Sequence, residues 1–388
     1  MTAETVAPQS VSRRRLLAGT AGLVGAAALP GGGALAQNPA AGVAVNSQSS
    51  PRYYQNPAWA ALVKEDILEP DLPIVDPHHH LWERPEHRYL INELLADTGS
   101  GHNIVQTVFI ECGSMYRADG PVEMKPVGET EFVNGTSAMS ASGQFGKSRL
   151  CAGIVGHADL RLGDKVARVL EAQISAGNGR FRGIRHSSAW DADPEVAGMY
   201  ATRPQGLLLD STFRRGFACL APLDLSFDAW LFHPQIGELA DLARAFPDTK
   251  IVLDHCGGPI GIGRFAGKRA ETFPVWKAAI QDIARCPNVA VKLGGLAMCL
   301  LGYDFHLRPK PPSSEEAAAA WRPYIETCIE AFGPSRAMFE SNFPPDKGQC
   351  SYRVIFNAFK RIAAQYSEAE KTALFSKTAT DFYRLELG

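Results

Sequence analysis

The 388-residue chain predicts an α/β fold, a closed (β/α)8 barrel. Three observations carry this expectation. Eight short apolar runs, most bounded by Gly, Pro, Asp or Asn, read as strands. Stretches of helical period lie between several of them, and strands alternating with helices imply a parallel sheet. Eight such units over about 300 residues suit a barrel with extended loops. An open doubly wound sheet is the competing arrangement, but no G-x-G-x-x-G or Walker motif follows any strand.

The strands are expected at Pro73–His78, Ile104–Glu111, Arg149–Val155, Phe181–Arg185, Leu225–Leu231, Lys250–His255, Val289–Leu293 and Ala337–Ser341. Helical spacing marks Asp164–Ala176, Pro234–Ala245, Pro274–Ala284, Trp321–Phe332 and Tyr352–Ala363. Pro234, Pro274 and Pro323 sit where helices begin, and Gly333 where one ends. Two connections exceed the usual length: Gly113–Gly135 after strand 2 and Leu296–Ser314 after strand 7. In a barrel both would emerge at the C-terminal face.

Three segments are expected. Residues 1–36 join Arg13-Arg14-Arg15 to a short apolar run and an Ala34-Leu35-Ala36 cleavage pattern, as in a twin-arginine secretory signal. Residues 37–71 read as a linker or arm, and 72–388 as the barrel. The expected location is periplasmic or secreted. The apolar run is too short to span a bilayer comfortably, so no stable span is expected in the mature chain. With 39 basic against 41 acidic residues and no basic run, a nucleic-acid partner is not expected. The eight cysteines form no C-x-x-C pair, which excludes a zinc ribbon or a thioredoxin-type motif. Export after folding in the cytoplasm makes free thiols as reasonable as disulfides. The sequence carries no signal for an oligomeric state.

Four motifs carry the chemistry. In Asp76-Pro77-His78-His79-His80, strand alternation puts Asp76, His78 and His80 on one face. Two imidazoles at a strand end can converge on a metal or a substrate carbonyl. In Leu253-Asp254-His255-Cys256-Gly257-Gly258, alternation puts His255 with Ile251 and Leu253, near His78 and His80. In Glu340-Ser341-Asn342-Phe343-Pro344-Pro345-Asp346, Glu340 and Asn342 share a face and Asp346 lies just beyond. Either carboxylate can serve as a general base, and Asp346 also suits a turn or helix start. Arg185, ending Arg182-Gly183-Ile184-Arg185, suits a substrate carboxylate or a structural ion pair. Lys292, inside an apolar strand, is a mouth residue or half of a buried pair, and Glu111 carries the same ambiguity. His233 either lines the site or caps the following helix. No G-x-S-x-G elbow supports a serine hydrolase.

At these residues the chain resembles the amidohydrolase superfamily, and within it the amidohydrolase-2 type barrels of pyrone-dicarboxylate and sugar-acid lactonases. The resemblance covers about residues 72–388. It rests on Asp76–Trp82, the Gly183–His186 strand end, the Asp254–Pro259 turn and the Ser341–Pro344 exit. It implies a (β/α)8 hydrolase opening a small carboxylated or sugar-acid lactone by water attack; a muconolactone-type intermediate of aromatic breakdown is one such substrate. His78, His80 and His255 match the family's histidines. They would hold one divalent ion, Zn or Mn, or polarise the carbonyl without one. The implied partner is a small acidic molecule, bound by Arg185 with Lys292, Asn342 and His233 as further contacts. The chain departs from the family at Asn342, where the family has Asp, which leaves the base to Asp346 or Glu340. A metal-dependent decarboxylase of the same superfamily and a non-catalytic acid-binding barrel are the alternatives.

Overall fold

The computed structural model describes residues 56–85 and 87–386. The expected signal, residues 1–36, and the arm up to residue 55 lie outside the described residues.

Eight parallel strands form one sheet in chain order. They are β1 (Ile74–His79), β2 (Ile104–Ile110), β3 (Arg149–Gly156), β4 (Phe181–Arg185), β5 (Ser226–Ala229), β6 (Ile251–Leu253), β7 (Val289–Leu293) and β8 (Ala337–Phe339). The ends meet just past β8. His79 bridges Phe343 in parallel, Asn342 N donates to His78 O at 3.0 Å, and His80 N donates to Phe343 O at 2.8 Å. At least one helix follows each strand, the longest after each being α1 (Ile91–Thr98), α2 (Val127–Ala141), α3 (Ala167–Gly177), α4 (Ser211–Phe217), α5 (Ile236–Ala245), α6 (Arg269–Ile283), α7 (Ser314–Phe332) and α8 (Tyr352–Ala363). This is the expected (β/α)8 barrel.

Alternation along the strands splits the core in two. Val75, Val108, Ile110, Val155, Val252, Ala290 and Met338 fill the barrel interior, joined there by Ala379, Tyr383 and Leu385 from the C-terminal segment. A larger apolar layer, including Ile74, Phe109, Ile184 and Val291, faces the helices. The described part of the arm is fastened to the outside: Leu68 N donates to Asn357 Oδ1 at 3.0 Å and Lys360 Nζ to Leu68 O at 2.7 Å. Among the described residues, no helix is long and apolar enough to cross a membrane.

The structure corrects several expected boundaries. The connection expected to run to Gly135 ends at Pro126, because α2 contains both Gly128 and Gly135. Gly128 is no helix breaker here: a Cβ on it would lie 2.6 Å from Met115 O. Helix α7 begins at Ser314, seven residues before the expected Trp321, because Ser313 and Glu316 form a capping box and Pro323 is accommodated inside the helix. Helix α6 likewise begins at Arg269 with Pro274 inside it. Strands β5, β6 and β8 are shorter than expected, so His255, Glu340 and Asn342 lie in the turns beyond them.

Candidate active site

The C-terminal ends of six strands bring one buried cluster together. His78 is the penultimate residue of β1, Arg185 ends β4, Asp228 lies on β5 and Lys292 on β7. Asp254 and His255 follow β6, and Glu340 follows β8. That end of the barrel is where such folds build their sites.

Alternation misplaces one residue. Between Asp76 and His79 the pairing with Thr107 and Phe109 shifts register, and the bulge re-aims the side chains. Asp76 turns to the helix layer, where it accepts from Tyr352 Oη on α8 at 2.9 Å and from Ser341 N at 2.9 Å. His78 turns into the barrel.

Glu340 organises the histidines. Its two oxygens lie 2.7 Å from His78 Nδ1 and 2.6 Å from His255 Nδ1, and it accepts from His255 N at 3.1 Å. Burial alone would raise its carboxyl, but His255 and His78 outweigh burial and hold it down to about 2. Ionised Glu340 fixes the orientation of the His255 ring through its Nδ1. Burial, with Lys292 beside the ring, pushes His78 well below the ordinary imidazole range and keeps it neutral.

The expected turn geometry for His255 differs from a strand end. His255 and Cys256 both have positive φ, 56° and 51°. The turn swings the imidazole onto His78, with ring centres 4.5 Å apart. Gly295 permits it: a Cβ there would lie 2.4 Å from His255 Cγ.

Lys292 is the buried pair. It is fully buried, donates to Asp228 Oδ2 at 2.7 Å, and lies 3.3 Å from Asp254 Oδ1 and 3.1 Å from His78 Nδ1. Burial opposes its charge, but Asp228, Asp254 and Glu340 outweigh burial and raise its pKa. Tyr383 Oη, from the C-terminal segment, donates to the same Asp228 oxygen at 2.7 Å. Arg185 is engaged as well: Nε donates to Glu111 Oε1 at 2.9 Å and Nη1 lies 3.2 Å from His78 Nε2.

His78, Asp254 and His255 each present a ligand atom within 4.8 Å of the others. Asp254 takes the place expected for His80, which stands beside the group: its Nδ1 meets Ile110 O at 2.8 Å and its ring stacks on Trp82. A divalent cation fits this set on two counts. Asp254 is fully buried and ionised, and among the described residues its Oδ2 has no charged neighbour nearer than Arg185 Nη1 at 3.7 Å. Four carboxylates (Glu111, Asp228, Asp254 and Glu340) face two cations, Arg185 and Lys292, so a double positive charge would neutralise the cluster.

The other expected residues lie around this centre. Asp346 is fully buried and accepts from Ala297 N at 3.0 Å and from Asn342 Nδ2 at 2.7 Å. Burial pushes its carboxyl well above the usual range. Asn342, at φ 51°, thus holds Asp346. His233 accepts from Ile260 N at 3.2 Å, supporting the turn beyond His255. Sequence reasoning missed Asp228 and Tyr383. Asp228 carried a usable signal, a carboxylate inside the apolar strand Ser226–Ala229, in register with Arg185; Tyr383 carried none, since only the fold brings the C-terminus beneath the barrel.

Known proteins share this architecture. The chain is 35% identical over 338 residues to the uncharacterized protein y4mH of Sinorhizobium fredii, covering 81% of this chain and 99% of that one. It is 29% identical over 248 residues to the L-fucono-1,5-lactonase of Burkholderia multivorans, covering 60% of this chain and 72% of the relative. A crystal structure of an amidohydrolase from Burkholderia multivorans with bound zinc shares the fold, with a TM-score of 0.61 and 24% identity over 81% of this chain and 99% of that one. The model of the amidohydrolase family, Amidohydro_2, matches residues 75–385, the whole barrel, and the chain belongs to that family.

Proposed function

We propose that this barrel hydrolyses the ring ester of a small lactone. The observation that carries the reading is the Glu340 clamp on His78 and His255, set beside a fully buried, ionised Asp254 that presents a ligand atom to the same point. The resemblance to L-fucono-1,5-lactonase supports the ester class. His78, Asp254 and His255 would hold a divalent ion, Zn or Mn. Such an ion supplies Lewis-acid polarisation of the ring carbonyl and acidifies a bound water. Glu340 fixes the ring orientation of both histidines. With both Glu340 oxygens committed to the two imidazoles, the base for the attacking water is assigned to Asp346, held by Ala297 N and Asn342 Nδ2. Lys292, locked between Asp228 and Asp254, keeps Asp254 ionised.

The substrate favoured is an uncharged sugar-acid lactone. Arg185 is already paired with Glu111 and Lys292 with Asp228, so neither cation of the cluster is left over for a substrate carboxylate. The test joins elemental analysis of the purified protein with pH-stat titration on sugar-acid and carboxylated lactones. Expected are a bound divalent metal, faster acid release from the sugar-acid lactones, products heavier by one water, and loss of activity in His255→Ala. Loss of carbon dioxide from a substrate would instead mark a decarboxylase. Silence across the panel in metal-loaded protein would overturn the reading.

A further inference from the structure

We propose that Tyr200 is a specificity-determining residue that selects hydroxylated lactones, its phenol donating to a hydroxyl of the substrate ring. The inference rests on the lactone reading of the site and adds a residue to it. Tyr200 closes the short turn Gly198–Tyr200 on the connection between β4 and α4 and is half-buried. Its Oη accepts from Trp230 Nε1 at 2.8 Å. Trp230, buried just past β5, sets its ring edge-on to His255, with centres 4.9 Å apart. The phenol thus stands one ring away from a candidate metal ligand. It is also a neighbour of Arg185. Burial opposes the Arg185 charge, but Glu111, Asp254 and, more weakly, Tyr200 outweigh burial and raise its pKa.

The ring is fixed on several sides. It packs edge-on against Phe232, with centres 5.8 Å apart. The Arg203 guanidinium, whose Nη1 donates to Ser187 O at 3.0 Å, lies 5.4 Å from the ring centre. The connection that carries Tyr200 is tied to the one between β6 and α6. There Arg264 donates from Nε to Asp191 Oδ1 at 2.9 Å and from Nη2 to Asp191 Oδ2 at 2.8 Å. A phenol oxygen both accepts and donates. The indole N–H uses only its acceptor capacity, and among the described residues the phenol proton has no protein acceptor. A neutral donor held in place beforehand suits a neutral oxygen, as in a ring hydroxyl of a sugar-acid lactone. A lactone without that hydroxyl leaves the donor unmatched and is disfavoured.

Titration calorimetry on the full-length protein tests this with ring lactams, which mimic the lactone without its labile ester. The probes are D-glucono-δ-lactam and L-galactono-δ-lactam, compared with δ-valerolactam, which has no ring hydroxyl. The wild-type protein is expected to bind a hydroxylated lactam in preference to δ-valerolactam. Tyr200→Phe is expected to lower that preference about 10-fold, the weight of one neutral hydrogen bond. A purely structural role would weaken all the lactams alike and leave the preference where it was. An unchanged preference in folded Tyr200→Phe would therefore overturn the proposal, and so would a wild-type protein that does not favour the hydroxylated lactams. Failure of the lactonase reading shows separately, because calorimetry reads binding alone. Lactam selectivity that depends on Tyr200, without acid release from any lactone, would overturn the lactonase reading and uphold the role of Tyr200 in binding. Acid release with an unchanged preference would overturn the role of Tyr200 alone.

Discussion

At the residue scale the site turns on one carboxylate. Glu340 reaches two imidazoles, and an amide in its place could not serve both, because one of its two ends is a donor. In Glu340→Gln, one Nδ1–H would face an N–H and its ring would have to turn. The expected outcome is a fall in metal affinity of about 10–100-fold with the fold retained. Metal titration by calorimetry and circular dichroism check it. Asp346, the assigned base, also ties the β7 and β8 exits together through its bonds to Ala297 N and Asn342 Nδ2, and Asn342 acts through that carboxylate.

At the scale of elements, short strands and tight turns place the chemistry. Strand β6 stops at Leu253, and left-handed His255 and Cys256 send the imidazole back over the barrel. Gly295 beyond β7 leaves the space it needs. Gly295 is itself at φ 64°, so Gly295→Ala adds backbone strain to a 2.4 Å clash with His255 Cγ. The expected result is displacement of His255 from Glu340. Catalysis should fall by about 10²-fold, the cost of a 1 Å misplacement, while the thermal midpoint falls by a few degrees. Lactone kinetics and calorimetry on the same sample separate the two effects.

At the scale of the whole molecule, β1 closes the barrel and ties global stability to acid. His79 points away from His78, to Thr107 Oγ1 at 2.8 Å, and its backbone bridges Phe343 at the closing seam. Burial lowers its pKa to about 3 from an ordinary 6.5. Below pH 6.5 the unfolded chain takes up a proton that the folded chain refuses. The stabilisation from keeping this ring neutral is therefore complete above pH 6.5 and is lost as pH falls towards 3, at about 1.4 kcal/mol per pH unit. His79→Gln removes this titration. Scanning calorimetry from pH 7 to 5 should show the gap between wild type and His79→Gln narrowing as the pH falls; a constant gap would contradict the account.

The sequence by itself determined the barrel, because eight apolar runs of strand length and their helical intervals are local patterns of side-chain polarity. It also singled out His78, His255, Glu340, Arg185 and Lys292, because charged or imidazole groups at apolar strand ends stand out against their neighbours. Only the tertiary structure decided how these groups share partners. A register shift between Asp76 and His79 parted Asp76 from His78, left-handed turns re-aimed His255, and Asp254 rather than His80 joined the ligand set. Asp228 and Tyr383 meet Lys292 across 64 and 91 residues of chain. Pairing over such distances depends on strand register and closure, which no local spacing encodes.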